Sequence, residues 1–440
     1  MAVKVVKFGG TSMADAASIT KVANIVKSDS ERKYVVVSAP GKRYSEDRKI
    51  TDMLYSCYHD VELCGECRET FDKIRERFRG IVKELDIDIN IDKYLDEVEE
   101  GIVKYRSADY AASRGEYLGG IIISAVLGYS FIDAKDVIKF NASGDFDSEL
   151  TNEYVKNAVR KTGNAVIPGF YGSDDAGNIV TFSRGGSDIT GAVIARAVEA
   201  SVYENWTDVD GFMTTDPRVV KNPVHIEQLT YRELRELAYM GANVLHPESI
   251  FPVRYSNIPI NIRNTFNPEH KGTMIVPASD ENTHNKTITG IAGKSGYSTI
   301  FIEKSMMNKE LGFARRVLSV LEYYGVSFEH MPSGIDSLSL VIPDAELAGK
   351  EKAVVNRITK AVQPDHIELL SGYSLIATVG HGMSFKIGTA ARLCDSLAKA
   401  NVNIRMIDQG YSEMSIIVGV DTKDYEKAIT AIYNEFFLEK

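Results

Sequence analysis

What the chain lacks narrows its function first. No apolar run approaches the roughly 20 residues of a membrane-spanning helix, and no block of Lys or Arg offsets a formal net charge of −10. Nucleic acid and anionic membrane are therefore poor partners, since both select basic surfaces. The N-terminal MAVKVVKFGGTS has neither the long apolar region nor the small-residue cleavage site of an export signal, so a cytoplasmic location is expected. There is no glycine-rich G-x-G-x-x-G after a strand and no loop ending in Gly-Lys-Ser/Thr, which argues against NAD and against a P-loop. Cysteines number only 4, and disulfides are disfavoured in that compartment. Cys57, Cys64 and Cys67 crowd with His59 into TDMLYSCYHDVELCGECRETFDKI. Zinc is one reading; apolar residues at helical spacing favour the other, thiols carried on helices.

What is present points to more than one domain, because 440 residues exceed what one core usually holds. VKVVKF, a helix from about Ala14 to Lys27, and YVVVSAP from Tyr34 set a βα rhythm. From about 64 to 110 the chain is charged and helix-periodic and reads as a helical insertion. The rhythm returns with NAVIPGFYG, NIVTFSRGG, DITGAVIARAVEA and VYENWTDVDG, as in a parallel sheet covered by helices. A polar stretch from about Asn267 to Asn285 resembles a linker, placed at 276–287 between a first domain of 1–275 and two repeats. Each repeat, 288–370 and 371–440, reads as strand, helix, strand, strand, with VSFEHMPS as one strand of the first.

Three loops of the first domain carry charge and glycine together. In KFGGTS, Lys7 ends a strand among buried neighbours and needs an anion. Gly9 and Gly10 allow backbone N–H groups near that anion, and Thr11 and Ser12 suit a helix cap. A plain βα turn fits the same residues. SRGGSDIT places Arg184 at a Gly-Gly turn, suited to a carboxylate, with Ser187 and Asp188 at capping positions. TDVDGFMTTDPR gathers Thr207, Asp208, Asp216 and Arg218 after a strand, where open α/β sheets bind ligands.

KFGGTS, SRGGSD, WTDVDGFMTTDPR and GANVLHP, in this order and followed by a duplicated unit, resemble the aspartate kinases of the amino-acid kinase superfamily. The resemblance spans nearly the whole chain. It implies an α/β catalytic domain, a mainly parallel sheet sandwiched by helices, followed by two α+β ACT (βαββαβ) regulatory domains that exchange strands in some arrangements. The implied reaction moves the γ-phosphoryl group of ATP, with Mg²⁺, onto the side chain of L-aspartate, giving 4-phospho-L-aspartate at the entry to lysine, threonine and methionine synthesis. By resemblance, Lys7, Gly9, Gly10, Thr11 and Ser12 serve the phosphates, and Thr207, Asp208, Asp216, Arg218 and Asn243 the nucleotide. Ser38, Thr51, Glu116, Phe170, Arg184, Ser187 and Asp188 surround aspartate, and Lys7, Asp188 and Asp208 are the catalytic set. No protein side chain is expected to ligate the metal. Met213 and Asn243 depart from the residues the family often has there.

The resemblance also implies an effector site at Phe313, Ala314, Ser327, Glu329, Ser333, Gly334, Ile335 and Asp336, with Glu329 favouring L-lysine, and a dimer or dimer of dimers joined through the ACT units. The chain leaves no room for a fused dehydrogenase, so a monofunctional enzyme is expected. A kinase of another carboxylate, or an inactive amino-acid sensor, are the alternatives.

Overall fold

Valine-rich β1 (Lys4–Phe8) and β2 (Arg32–Val37) are buried almost throughout, as the interior of a parallel sheet requires. Between them α1 (Ala16–Lys27) starts at Asp15, whose carboxylate accepts the Ser18 N–H at 2.8 Å. The computed structural model describes residues 2–183, 185–242, 245, 251–277, 286–410 and 412–438. These fall into two units.

The first unit continues with α2 (Ile50–Cys64), α3 (Arg68–Leu85), α4 (Ile91–Tyr105) and α5 (Ala108–Leu127). The helix-periodic stretch thus consists of α3 and α4. Then come β3 (Ser130–Phe131), α6 (Ala134–Val137), α7 (Ser148–Thr162), β4 (Ala165–Pro168), the hairpin of β5 (Tyr171–Ser173) and β6 (Ile179–Thr181), and α8 (Gly186–Ala197). β7 (Val202–Thr207), β8 (Gln228–Thr230), α9 (Tyr231–Tyr239), α10 (Phe251–Arg254), β9 (Ile260–Asn264) and β10 (Thr273–Val276) complete the run. The eight strands of the main sheet follow the order β3-β4-β2-β1-β7-β9-β10-β8, parallel except where β10 meets β9. β10 lies inside the polar stretch read as linker. Its four residues pair on both sides, which polar flanks concealed in the sequence.

Cys57 is buried on α2 and Cys67 is buried at the start of α3, while Cys64 is exposed. Among the described residues no three His, Cys, Asp or Glu side chains group as metal ligands, and no helix is long and apolar enough to cross a membrane.

The second unit comprises β11 (Gly290–Glu303), α11 (Phe313–Tyr323), β12 (Ser337–Pro343), α12 (Asp344–Leu347), α13 (Glu351–Val362), β13 (His366–Val379), α14 (Thr389–Lys399), β14 (Met406–Asp408), β15 (Ser415–Asp421) and α15 (Tyr425–Tyr433). Its antiparallel sheet has the order β12-β11-β13-β15-β14. β11 and β13 each cross two cores. Ile300 and Ile302 pack with Phe313 and Val317 of the first repeat, whereas Ile288 and Ile291 pack with Leu393 and Ile429 of the second. The opening of β11 therefore belongs to the second repeat, and the register shifts near Gly296, φ +91°, where one core gives way to the other. VSFEHMPS is not a strand. It makes only isolated bridges, His330 to Val341 and Ser333 to Leu338, because Pro332 has no N–H to continue a ladder. Two segments from the catalytic stretch, Met213–Val224 and Arg235–Ala242, cluster with this unit. Thr214 O accepts from Ile291 N at 2.7 Å, and Ser415 donates to Glu236 at 3.2 Å.

In the first unit Arg32 and Glu204 meet from the two strands that flank β1. Arg32 Nε reaches Glu204 Oε2 at 2.9 Å and Nη2 reaches Oε1 at 3.3 Å, while Trp206 Nε1 donates to the same carboxylate at 2.8 Å. Both charges are buried. Glu204→Leu strands the guanidinium and should lower unfolding free energy in urea by roughly 3–5 kcal/mol. The double variant Arg32→Leu, Glu204→Leu should recover most of that loss.

Candidate active site

The carboxyl ends of β1, β2, β4 and β7 bring most of the expected residues together. Gly9 N donates to Trp206 O at 3.0 Å, Ser38 N to Phe8 O at 3.1 Å and Gly169 N to Val37 O at 2.9 Å, so the loops leaving these strands are fastened side by side. Lys7, only 7% exposed, ion-pairs through Nζ with Asp188 Oδ1 at 2.5 Å. Asp188 sits in the first turn of α8, and Asn205 of β7 donates to the same oxygen at 2.9 Å. One ammonium thus ties β1, β7 and α8.

The hydroxyls after the first glycine turn do not cap α1, whose cap is Asp15. Thr11 and Ser12 lie instead in a 3₁₀ turn, Gly10–Met13. Thr11 donates to Asp208 at 3.1 Å and Ser12 shares a 2.8 Å hydrogen bond with Thr265. Thr207 reaches the other Asp208 oxygen at 3.2 Å. Ser187 and Asp188 likewise follow an α8 cap, Gly185, that makes no side-chain bond. Ser187 is buried against Gly169, where an added Cβ would stand 2.6 Å from the serine Cβ. Phe170 beside it holds φ +78°, a left-handed conformation that a bulky residue rarely adopts, and such strain clusters at functional sites.

Thr51 occupies the first turn of α2. Glu116 of α5 is buried, and burial pushes its carboxyl from the ordinary 4.5 up to about 8, although the Ala39 N–H donates to it. Its Oε2 has no partner among the described residues. A buried acid of this kind is suited to receive a cation.

Two residues that the sequence reading missed support the site. Gly41 N donates to Gly10 O at 2.7 Å, and a Cβ on Gly41 would lie 2.7 Å from the Gly10 carbonyl carbon, so only glycine lets the turns after β1 and β2 touch. Arg77 of α3 is buried and donates to the carbonyls of Ala14 at 3.1 Å, Arg48 at 2.9 Å and Gly41, with Asp47 at 3.4 Å. Helical spacing from Ile74 and to Ile81 puts Arg77 on the apolar face of α3, and that pattern was available in the sequence.

Arg184 and Asn243 lie outside the described residues. Asp216 and Arg218 belong to the second unit, where they pair with each other, Arg218 Nη2 to Asp216 Oδ2 at 2.6 Å. In that unit Phe313 begins α11 inside a core. Ala314 follows it, Ser327 N donates to Glu346 at 3.3 Å, and the Tyr239 hydroxyl donates to Glu329. Gly334 N donates to Ser337 O at 2.8 Å, within the Ser333 to Leu338 bridge. Ile335 O and Asp336 O accept from Asn308 and Lys304 at 3.1 and 2.9 Å, and Ile335 exposes its side chain.

The raised Glu116 fixes the sign of a pH effect. The unfolded chain releases this proton near 4.5 and the folded chain near 8, so between those values rising pH favours unfolding. Glu116→Gln removes the penalty. Its unfolding free energy relative to the parent, read from urea denaturation at each pH, should climb from pH 5 to pH 8 and then level off, by an amount on the order of 1–3 kcal/mol.

A profile of the amino acid kinase family matches residues 2–264, and an ACT domain profile matches residues 376–436. Bacillus subtilis aspartokinase 3 is 39% identical over 99% of this chain and 98% of its own length. The crystal structure of Clostridium acetobutylicum aspartate kinase aligns with TM-score 0.93 at 51% identity, covering 99% of this chain and 100% of that one. Escherichia coli aspartokinase III, solved with aspartate and ADP and again with lysine and aspartate, aligns with TM-score 0.74 at 25% identity in both states, over 99% of this chain and 100% or 99% of that one. Identity at this level, sustained over nearly every residue and matched by the fold, means that the chain belongs to the amino acid kinase family and, within it, to the aspartokinases, ATP-dependent phosphotransferases with a carboxyl acceptor.

Proposed function

We propose that the chain phosphorylates the side-chain carboxylate of L-aspartate, and the observation that carries this is the buried Lys7 held between a glycine turn and Asp188. An aspartate side chain, with a pKa of about 3.9, is already ionised at neutral pH and requires no general base. The obstacle is repulsion between that carboxylate and the phosphates. Lys7 and the N–H groups of the Gly9–Gly10 turn reduce it and stabilise charge on the phosphoryl group in flight. Ser38, Thr51, Phe170, Ser187 and Asp188 line the aspartate side, Arg184 takes the α-carboxylate, and Glu116 takes the ammonium, whose arrival draws off its proton. Thr207 and Asp208 serve the nucleotide. Mg²⁺ enters with ATP on phosphate oxygens and water, which suits a site whose carboxylates are spent on Lys7, Thr11 and Thr207.

In the regulatory unit L-lysine is the effector, bound by the start of α11 and the 327–336 segment, with Glu329 as counter-ion to its side chain. The E. coli relative solved with lysine supports this choice. The enzyme then acts in the cytoplasm, feeds lysine, threonine and methionine synthesis, and pairs through its ACT sheets, where edge strands need covering.

Coupled ADP-release assays with L-aspartate, L-glutamate or neither should show turnover with aspartate alone. Lys7→Ala should lower kcat by about 10²–10³-fold or more in a protein that still folds, with a lower unfolding midpoint because Asp188 loses its partner; near-normal turnover in the folded variant would exclude Lys7 from phosphoryl transfer. Initial rates should fall with lysine more than with threonine. Glu329→Gln should raise the lysine concentration for half-inhibition about tenfold, the worth of one charge-assisted hydrogen bond.

A further inference from the structure

The first unit also holds a cavity of about 420 Å³ between α4, the start of α5 and the turn joining β5 to β6. That is within the size range of small-molecule sites. None of the residues assigned above to phosphate, nucleotide or aspartate lines it.

Arg114 is the reason to look at this cavity. It lines the wall, is only 3% exposed, and stands over the rings of Tyr110, Tyr117 and Tyr171 at 4.6, 4.8 and 4.8 Å from their centroids. The three rings surround the guanidinium, and its N–H groups still call for acceptors. Nε donates to Ser113 at 3.1 Å, but the buried Nη2 has no hydrogen-bond partner among the described residues. An orphaned donor on a buried cation is costly, and a planar carboxylate is the acceptor that fits the fork. Lys135 and Lys104 add positive charge to the wall; both are exposed, and Lys135 is held only loosely, 3.4 Å from Asp133. Opposite charge is also present, since Glu97 and Glu100 of α4 line the same space.

We propose that this cavity is a second ligand site, for a small zwitterion whose carboxylate lies on Arg114 and whose ammonium faces Glu97 and Glu100. Tyr110 lines the same cavity. Tyr171, on which Arg114 rests, directly follows Phe170 of the aspartate side, and Glu116 lies two positions beyond Arg114 on α5. An occupant is therefore anchored to the same helix and hairpin as the substrate pocket.

The test is thermal denaturation of the full chain with glycine, β-alanine or γ-aminobutyrate, compared with acetate, propionate or butyrate. At least one amino acid should raise the melting temperature by an amount on the order of a few °C, growing with concentration, and its unaminated partner should do so less. The shift should persist in Lys7→Ala, which separates it from binding at the transfer centre. It should be lost in Arg114→Gln and, should that buried replacement fail to fold, need several-fold more ligand in the double variant Lys104→Ala, Lys135→Ala, whose side chains are exposed. Glu97→Gln with Glu100→Gln should erase the preference for the aminated member. No shift with any probe, an equal shift with the plain carboxylates, loss in Lys7→Ala, or an unchanged concentration dependence in the lysine double variant would each overturn the proposal.

Discussion

A lysine ammonium withdrawn from water at the end of a β-strand is the constraint around which the catalytic unit is arranged. A buried ammonium in that position calls for an anion close by, and Asp188 supplies one at 2.5 Å. The aspartate is held in turn by Asn205 at 2.9 Å. Because β1, β7 and α8 each contribute one member, their relative placement is determined by electrostatics as well as by packing. The same desolvation strengthens attraction to any further anion that arrives, since screening by solvent is weak there. A site of the kind proposed, which brings an anionic nucleophile to an anionic phosphate, would benefit from a cation so placed, with its partner carboxylate keeping it in position.

Backbone geometry carries the second requirement. The turns after β1 and β2 touch through Gly10 and Gly41, an approach that any side chain on Gly41 would prevent. Three carbonyls in this region point at Arg77, which explains why a helix of the insertion is buried against the site. The insertion is thus part of the scaffold that sets the glycine turns after β1 and β2. Glycine supplies closeness, and the guanidinium supplies the donors that the converging carbonyls need.

Those features differ in how far the sequence exposes them. A strand ending in Lys followed by two glycines is a local pattern, so Lys7 and its turn are legible at once; the partner Asp188 is distant in sequence and becomes identifiable only through the second glycine-rich loop. Thr11 and Ser12 look like caps because they precede a helix, yet Asp15 stands closer to its start and takes that role, freeing both hydroxyls for longer contacts. Arg77 hides among nine other charged residues of α3, and only its phase relative to Ile74 and Ile81 reveals it. Glu116 reads as one acid in an apolar helix, and its raised pKa follows from burial, which periodicity alone does not measure. In the repeats, a Pro at 332 broke what composition presented as a strand.

The regulatory sheet shows why repetition in sequence need not mean independent domains. Each repeat alone has a strand, helix, strand, strand pattern, but β11 and β13 pair along nearly their whole lengths and serve both cores. Removing one repeat would leave the other without a strand it packs against. The register shift at Gly296 is where the two cores meet along β11, and the loops at 304–308 and 333–336 are bonded to each other at the first-repeat end of the same strand. Ordering those loops around a ligand acts on a strand that the second repeat also depends on. A ligand bound by one repeat therefore changes the free energy of both, because the strands that would have to move are shared.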